Sequence, residues 1–142
     1  MTKRPSLHAA SYTAMKNFAE QVANTELDKK LIELIKIRAS QLNGCAFCLD
    51  MHAKDARAIG ESEQRIYTVS AWRDTPFFSE AEQAVLALTE AVTLVSEKHV
   101  PDAVYEEAAR HFDNRQLSEI LMTIITINGW NRIAITTGMM PS

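Results

Sequence analysis

Residues 25–60 read TELDKKLIELIKIRASQLNGCAFCLDMHAKDARAIG. Leu27, Leu31, Leu34, Ile35 and Leu42 recur at the three- and four-residue steps of an amphipathic helix. Thr25 with Asp28 reads as a capping box that opens this helix, and Asn43-Gly44 as its stop. A second helical pattern starts near Cys45 and ends at Gly60. Two helical patterns follow each other across Asn43-Gly44, so the stretch sets an all-α expectation.

The same signals extend in both directions. A helix is predicted over about residues 6–22. Ser62 caps a short one reaching about Trp72, and Thr75-Pro76 breaks the chain. Ser79 with Glu82 opens a helix to about Ser96. Pro101 starts a segment to about Phe112, and Asp113 with Gln116 opens a last helix to about Thr137. The expectation is a bundle of about six to seven helices, with prolines and glycines mostly at the borders. Around the last helix, Leu117, Ile120, Leu121, Ile124, Ile125, Ile127, Trp130, Ile133 and Ile135 cover much of the circumference. A helix apolar on most sides is buried within a subunit or between subunits. The β-branched run from Thr123 to Ile127 is the one place where a strand competes.

The 142 residues suit one domain spanning residues 1–142, long enough to bury a core without disulfide or metal staples. Apolar residues make up 46% and charged residues 23%, the balance of an ordinary globular protein. A net charge of −3, with basic residues scattered, gives no reason to expect nucleic acid or an anionic membrane as partner. Met1-Thr2-Lys3-Arg4-Pro5 has no apolar stretch behind it, which predicts no signal peptide and a cytoplasmic location. In a reducing compartment two cysteines rarely form a structural disulfide, so their spacing calls for another explanation.

On a helix each residue turns by about 100°, which puts Cys48 at about −60° and His52 at about −20° relative to Cys45. The three share a face with Leu49, Ala56 and Ile59, while Asp50, Lys54 and Arg57 lie opposite. A Cys-x-x-Cys pair closes a disulfide within one helical turn. Cys45, at the helix N-terminus, is where the dipole and free N–H groups favour a thiolate. His52, four residues past Cys48, is placed to take its proton and return one to a leaving oxygen. Two other readings stay open at this point. Buried cysteines pack as small hydrophobes, and Cys45, Cys48 and His52 supply three zinc ligands with a carboxylate, His8, His99 or His111 as a fourth. Haem attachment is excluded, because Leu49 stands where Cys-x-x-Cys-His needs histidine.

Glu33, Arg38-Ala39-Ser40, Leu42-Asn43-Gly44 and Cys45-Ala46-Phe47-Cys48-Leu49-Asp50-Met51-His52 together resemble the alkylhydroperoxidase D-like group of the carboxymuconolactone decarboxylase family. The family pattern is a glutamate twelve residues before a Cys-x-x-Cys and a histidine four after it, here Glu33, Cys45, Cys48 and His52. The tail Asn128-Gly129-Trp130-Asn131-Arg132 also fits. The resemblance implies an all-α fold assembled into trimers or hexamers. It implies a hydroperoxide reductase without a resident cofactor, whose electrons come from an external dithiol such as a lipoyl group on a partner protein. It implies that Cys48 attacks the peroxide, that Cys45 resolves the sulfenic acid as a disulfide, and that Glu33 and His52 relay protons. The better-characterised peroxidases carry a second histidine where this chain has Phe47, so one member of the relay is missing. A redox-sensing or binding protein that turns over poorly is the alternative; lactone decarboxylation is disfavoured, because the family's decarboxylases lack the Cys-x-x-Cys.

Five residues carry further expectations. Helical arithmetic alone puts Glu33 at about 200° from Leu31, a solvated position suited to pairing with Lys29 or Lys30. Only the resemblance lifts it to a site residue. Arg38 falls on the apolar face among Leu31, Leu34 and Leu42, where it needs a carboxylate or carbonyl partner or must snorkel to water. Phe47, Met51 and Ala58 form an apolar strip expected to touch another helix or subunit.

Overall fold

A computed structural model describes residues 2–142; Met1, the first residue of the N-terminal stretch read above, lies outside them. Among the described residues there is no strand. Eight α-helices follow in order: α1 (Ala9–Ala23), α2 (Lys29–Asn43), α3 (Ala46–Ala58), α4 (Glu63–Thr68), α5 (Glu80–Thr93), α6 (Val95–Lys98), α7 (Asp102–Ala109) and α8 (Asn114–Thr137), with a 3₁₀ turn (Val69–Asp74) after α4. No helix among the described residues is long and apolar enough to cross a membrane.

Local signals hold where the chemistry is local. Ser79 and Asp113 each accept the N3 backbone N–H, and Glu82 and Gln116 each return the bond to the cap. The β-branched run in α8 stays helical, because Ile120, Ile124 and Ile127 bury one stripe against the rest of the bundle. Thr25 departs from expectation. The cap of α2 is Asp28, whose carboxylate accepts the Lys30 N–H, while the Thr25 hydroxyl donates to Glu119 on α8. The Thr25 oxygen also accepts locally, from the Leu27 N–H at 3.1 Å, one residue short of the Asp28 N–H that a capping box would use. The helix expected to run to Trp72 loses α-geometry after Thr68 and kinks at Ala71 (φ −119°, ψ 33°). The helix opened by Ser79 breaks at Leu94, and the single turn α6 brings the count to eight rather than six or seven.

Helix α2 is the hub, packed against α3, α5 and α8. Leu31 and Ile35 join Val85, Leu88, Ala108, Ile120 and Ile124 in one apolar cluster. Leu34 and Ile37 join Ala56, Val69, Trp72, Phe78 and Leu86 in a second. Ala39 joins Cys45, Cys48, Ile127 and Ala134 in a third. Burying a side chain such as Leu34, Ile35 or Ile37 stabilises by about 1.5–3 kcal/mol each. Helix α1 is peripheral: none of its residues is buried, and it packs on α8. The Met15 tip lies over Gly129 in that contact, where a Cβ would meet Met15 Cε at 2.9 Å and push the flexible side chain aside. Helix α8 leaves Leu121, Met122, Ile125 and Ile135 exposed, so the fold of one chain uses only part of its apolar circumference.

Arg38 does meet a carboxylate. Its Nε–H donates to Glu90 at 2.8 Å, and Glu90 also accepts from Trp72 Nε1 and Arg73. Burial pushes the Glu90 carboxyl up, but the bonds from Arg73, Arg38 and Trp72 outweigh it and hold the group below its ordinary value. Glu82 behaves alike: burial is outweighed by the Arg65 guanidinium and the Ser79 backbone N–H. A carboxyl depressed in the folded state contributes stability that is present above its unfolded pKa, near 4.5, and lost as pH falls through the lower folded value. Melting temperature is therefore expected to fall as pH drops below about 4.5. Glu90→Gln should start lower at pH 7 and show a shallower acid slope; an unchanged slope would show that Glu90 does not carry the effect.

Candidate active site

The turn between α2 and α3 prepares the first cysteine. Gly44 takes the left-handed conformation (φ 70°), which a side chain would strain. The Cys45 N–H then donates to the Ser40 carbonyl at 3.0 Å. A polar network backs this turn. Asn131, fully buried, donates to the Ser40 hydroxyl at 3.0 Å, and Asn43 donates to Asn128 and Asn131 at 2.9 Å each. Asn128 and Asn131 come from the tail motif on α8, so the helix that closes the core also clamps the hairpin.

Cys45 is the N-cap of α3 rather than its first helical residue, and its sulfur accepts the Cys48 N–H at 3.3 Å. The cysteines are joined as a disulfide, with Cα atoms 5.4 Å apart, inside the usual span for such a bridge. Both are buried in the third apolar cluster. An N–H aimed at Cys45 Sγ also favours a thiolate there once the bridge is reduced.

One turn beyond Cys48, buried His52 meets Glu33. His52 Nδ1 and Glu33 Oε2 are 3.1 Å apart, and the Glu33 side chain is only 14% exposed. The solvated alternative for Glu33 is overturned: it pairs with neither Lys29 nor Lys30, because α3 folds across its face of α2. A carboxylate only accepts, so Nδ1 carries the hydrogen it shares with Glu33, and in the neutral ring Nε2 keeps its lone pair. Asp55, one turn further on, approaches the same Nδ1 at 3.8 Å and is largely exposed. It was not among the sequence candidates; its signal was the three-residue step from His52.

These groups border one cavity of about 960 Å³ between α1, α2, α3 and α8. Cys48 and His52 line it, as does Glu33; Cys45 does not. Its walls are largely apolar, with Tyr12, Ile32, Phe47, Met51, Ile127 and Trp130 prominent. Phe47 is half-buried against the cluster that holds the cysteines and α8, as expected of a strip that touches another helix. Met51 and Ala58 line the cavity alongside Phe47, and Ile59, expected on the buried face, is 40% exposed. The zinc set of Cys45, Cys48 and His52 is not assembled: among the described residues, the ligand atoms that converge are those of Glu33, His52 and Asp55, within 4.8 Å of one another.

The sequence model of the carboxymuconolactone decarboxylase family matches residues 9–91. The chain is 43% identical over 141 residues to the uncharacterized protein YdfG of Bacillus subtilis (strain 168), covering 97% of this chain and 96% of that protein. The fold is shared with ATU0492 of Agrobacterium tumefaciens, a protein of unknown function suggested to be the antioxidant defence protein AhpD. The TM-score is 0.93 at 38% identity, over 95% of this chain and 92% of that one. An uncharacterized peroxidase-related protein from Silicibacter sp. TM1040 shares the fold at 22% identity and a TM-score of 0.82, over 95% of this chain and 72% of that one.

Proposed function

From the premise that this chain belongs to the carboxymuconolactone decarboxylase family, as an AhpD-like member, we propose that it is a thiol-dependent hydroperoxide reductase. The observation that carries the reading is a Cys45–Cys48 pair whose second sulfur borders the same cavity as a glutamate-oriented histidine. Redox-inert cysteines need no such neighbour.

In this reading Cys48 is the nucleophile. His52 Nε2 takes its proton, and the thiolate attacks the outer peroxide oxygen. The O–O bond breaks, its electron pair leaves with the inner oxygen, and the imidazolium returns the proton to give the alcohol. Cys48 is left as a sulfenic acid. The Cys45 sulfur, as thiolate, attacks it; hydroxide leaves, takes up a proton as water, and the disulfide forms. Two electrons pass from the dithiol to the peroxide. An external dithiol, such as a lipoyl group on a partner protein, restores both thiols and becomes a disulfide itself. A reducing cytoplasm suits this cycle, and a homo-oligomer would cover Leu121, Met122 and Ile125.

Thiol counting tests the proposal. One equivalent of hydroperoxide is expected to remove two thiols per reduced chain, and dihydrolipoamide to restore them with steady turnover. A protein that stays fully reduced under excess hydroperoxide defeats the reading. One that oxidises once and is not recycled by any dithiol is a sensor instead.

A further inference from the structure

The cavity is not uniformly apolar. Its charged lining groups are Lys29, Glu33, Lys36 and Asp55, beside His52. Glu33 and Asp55 both turn toward His52. Lys36 is half-buried and has no ion-pair or hydrogen-bond partner among the described residues. A lysine whose stem lies along an apolar wall and whose ammonium has no anionic partner offers an entering anion a cation already in place.

The hairpin register says where that charge lies. Glu33 and His52 touch, which aligns the antiparallel helices at that level. From Glu33, Lys36 is about 4.5 Å further toward the turn; from His52, Cys48 is about 6 Å further the same way. Lys36 and Cys48 thus lie at nearly one level, on neighbouring helices, both lining the cavity. Lys29, at the other end of this face, is exposed and on the Asp55 side of His52, so it is the less effective cation.

Resting on the hydroperoxide reductase reading, we infer that the cavity takes organic hydroperoxides with an apolar body and a carboxylate, and that Lys36 selects them by pairing with that carboxylate. The volume falls within the roughly 300–1,000 Å³ common for ligand pockets, and the aromatic wall suits a bulky body. The redox step is unchanged: the hydroperoxide takes two electrons from the dithiol and leaves as the alcohol, its carboxylate intact, with water.

The test compares cumene hydroperoxide carrying a para-carboxylate with the methyl ester of the same compound, under a dithiol reductant. The acid is expected to be favoured in kcat/KM by about tenfold, the scale of one charge-assisted bond. Lys36→Met should bring the acid-to-ester ratio near one, and Lys36→Glu should invert it. Equal rates for both compounds in the wild type overturn the inference while leaving the reductase reading intact. So does a Lys36→Met effect that lowers both equally, since Lys36 would then act on the thiol. If neither compound nor tert-butyl hydroperoxide is consumed, the reductase reading itself has failed, and the inference with it.

Discussion

Cys48→Ser is expected to lower hydroperoxide consumption by about 10³-fold or more, whereas Cys45→Ser should still consume one equivalent and then stop. The contrast follows from position. Both cysteines are 2% exposed, so overall accessibility does not separate them. The cavity does: Cys48 lines it and Cys45 does not. Acidity argues the other way, because Cys45 caps α3 and its sulfur receives an N–H. Access favours Cys48 for a substrate that arrives through the cavity, because that is the cysteine on the cavity wall. On the proposed cycle Cys45 then acts in the later step, attacking the sulfenic acid and leaving when the external dithiol arrives. Mass spectrometry of Cys45→Ser after one equivalent should find a single oxygen on Cys48. An inactive Cys45→Ser together with an active Cys48→Ser would reverse the assignment.

What could be read in the sequence follows from how far each interaction reaches along the chain. The caps at Ser79 and Asp113 span three residues and were legible as written. The end of α8 was equally plain, with Gly138 in the left-handed conformation just past Thr137. Thr25 departs from its reading because Asp28 caps α2 itself, while the Thr25 hydroxyl accepts from Leu27 and donates to Glu119, 94 positions away. The break at Leu94 has no glycine or proline to announce it. Arg38 is intermediate: its burial, and hence its need for a carboxylate, follows from periodicity, but Glu90 as the answer needs the packing of α2 on α5. In the site, the cysteine spacing and the place of His52 are local facts. The burial of Glu33 is not. A helical wheel shows which face a residue is on, not which helix later covers it, and only the turn at Gly44 lays α3 over that face. Lys36 and Asp55 went unremarked for the same reason.

Glu33→Gln is expected to reduce hydroperoxide turnover by about 10²-fold, at the lower end of what a positioned proton-transfer group contributes. The side chain keeps its size, so the packing between α2 and α3 should survive and the melting temperature change little. What changes is the bond to His52 Nδ1, 3.1 Å away. A carboxylate accepts only and holds the ring with Nδ1 protonated and Nε2 free. An amide accepts less strongly, and when flipped it donates, which turns the tautomer around and leaves Nε2 protonated. The negative charge that favours the imidazolium formed when Cys48 loses its proton also disappears. Weaker proton acceptance by His52 slows the attack of Cys48 without touching the fold, so the single-turnover oxidation of the reduced thiols should slow by the same factor while the melting curve stays in place. A loss that comes with a clearly lower melting temperature would mean instead that Glu33 holds the hairpin in shape, and His52 would need another orienting partner, for which Asp55 at 3.8 Å is the nearest acid.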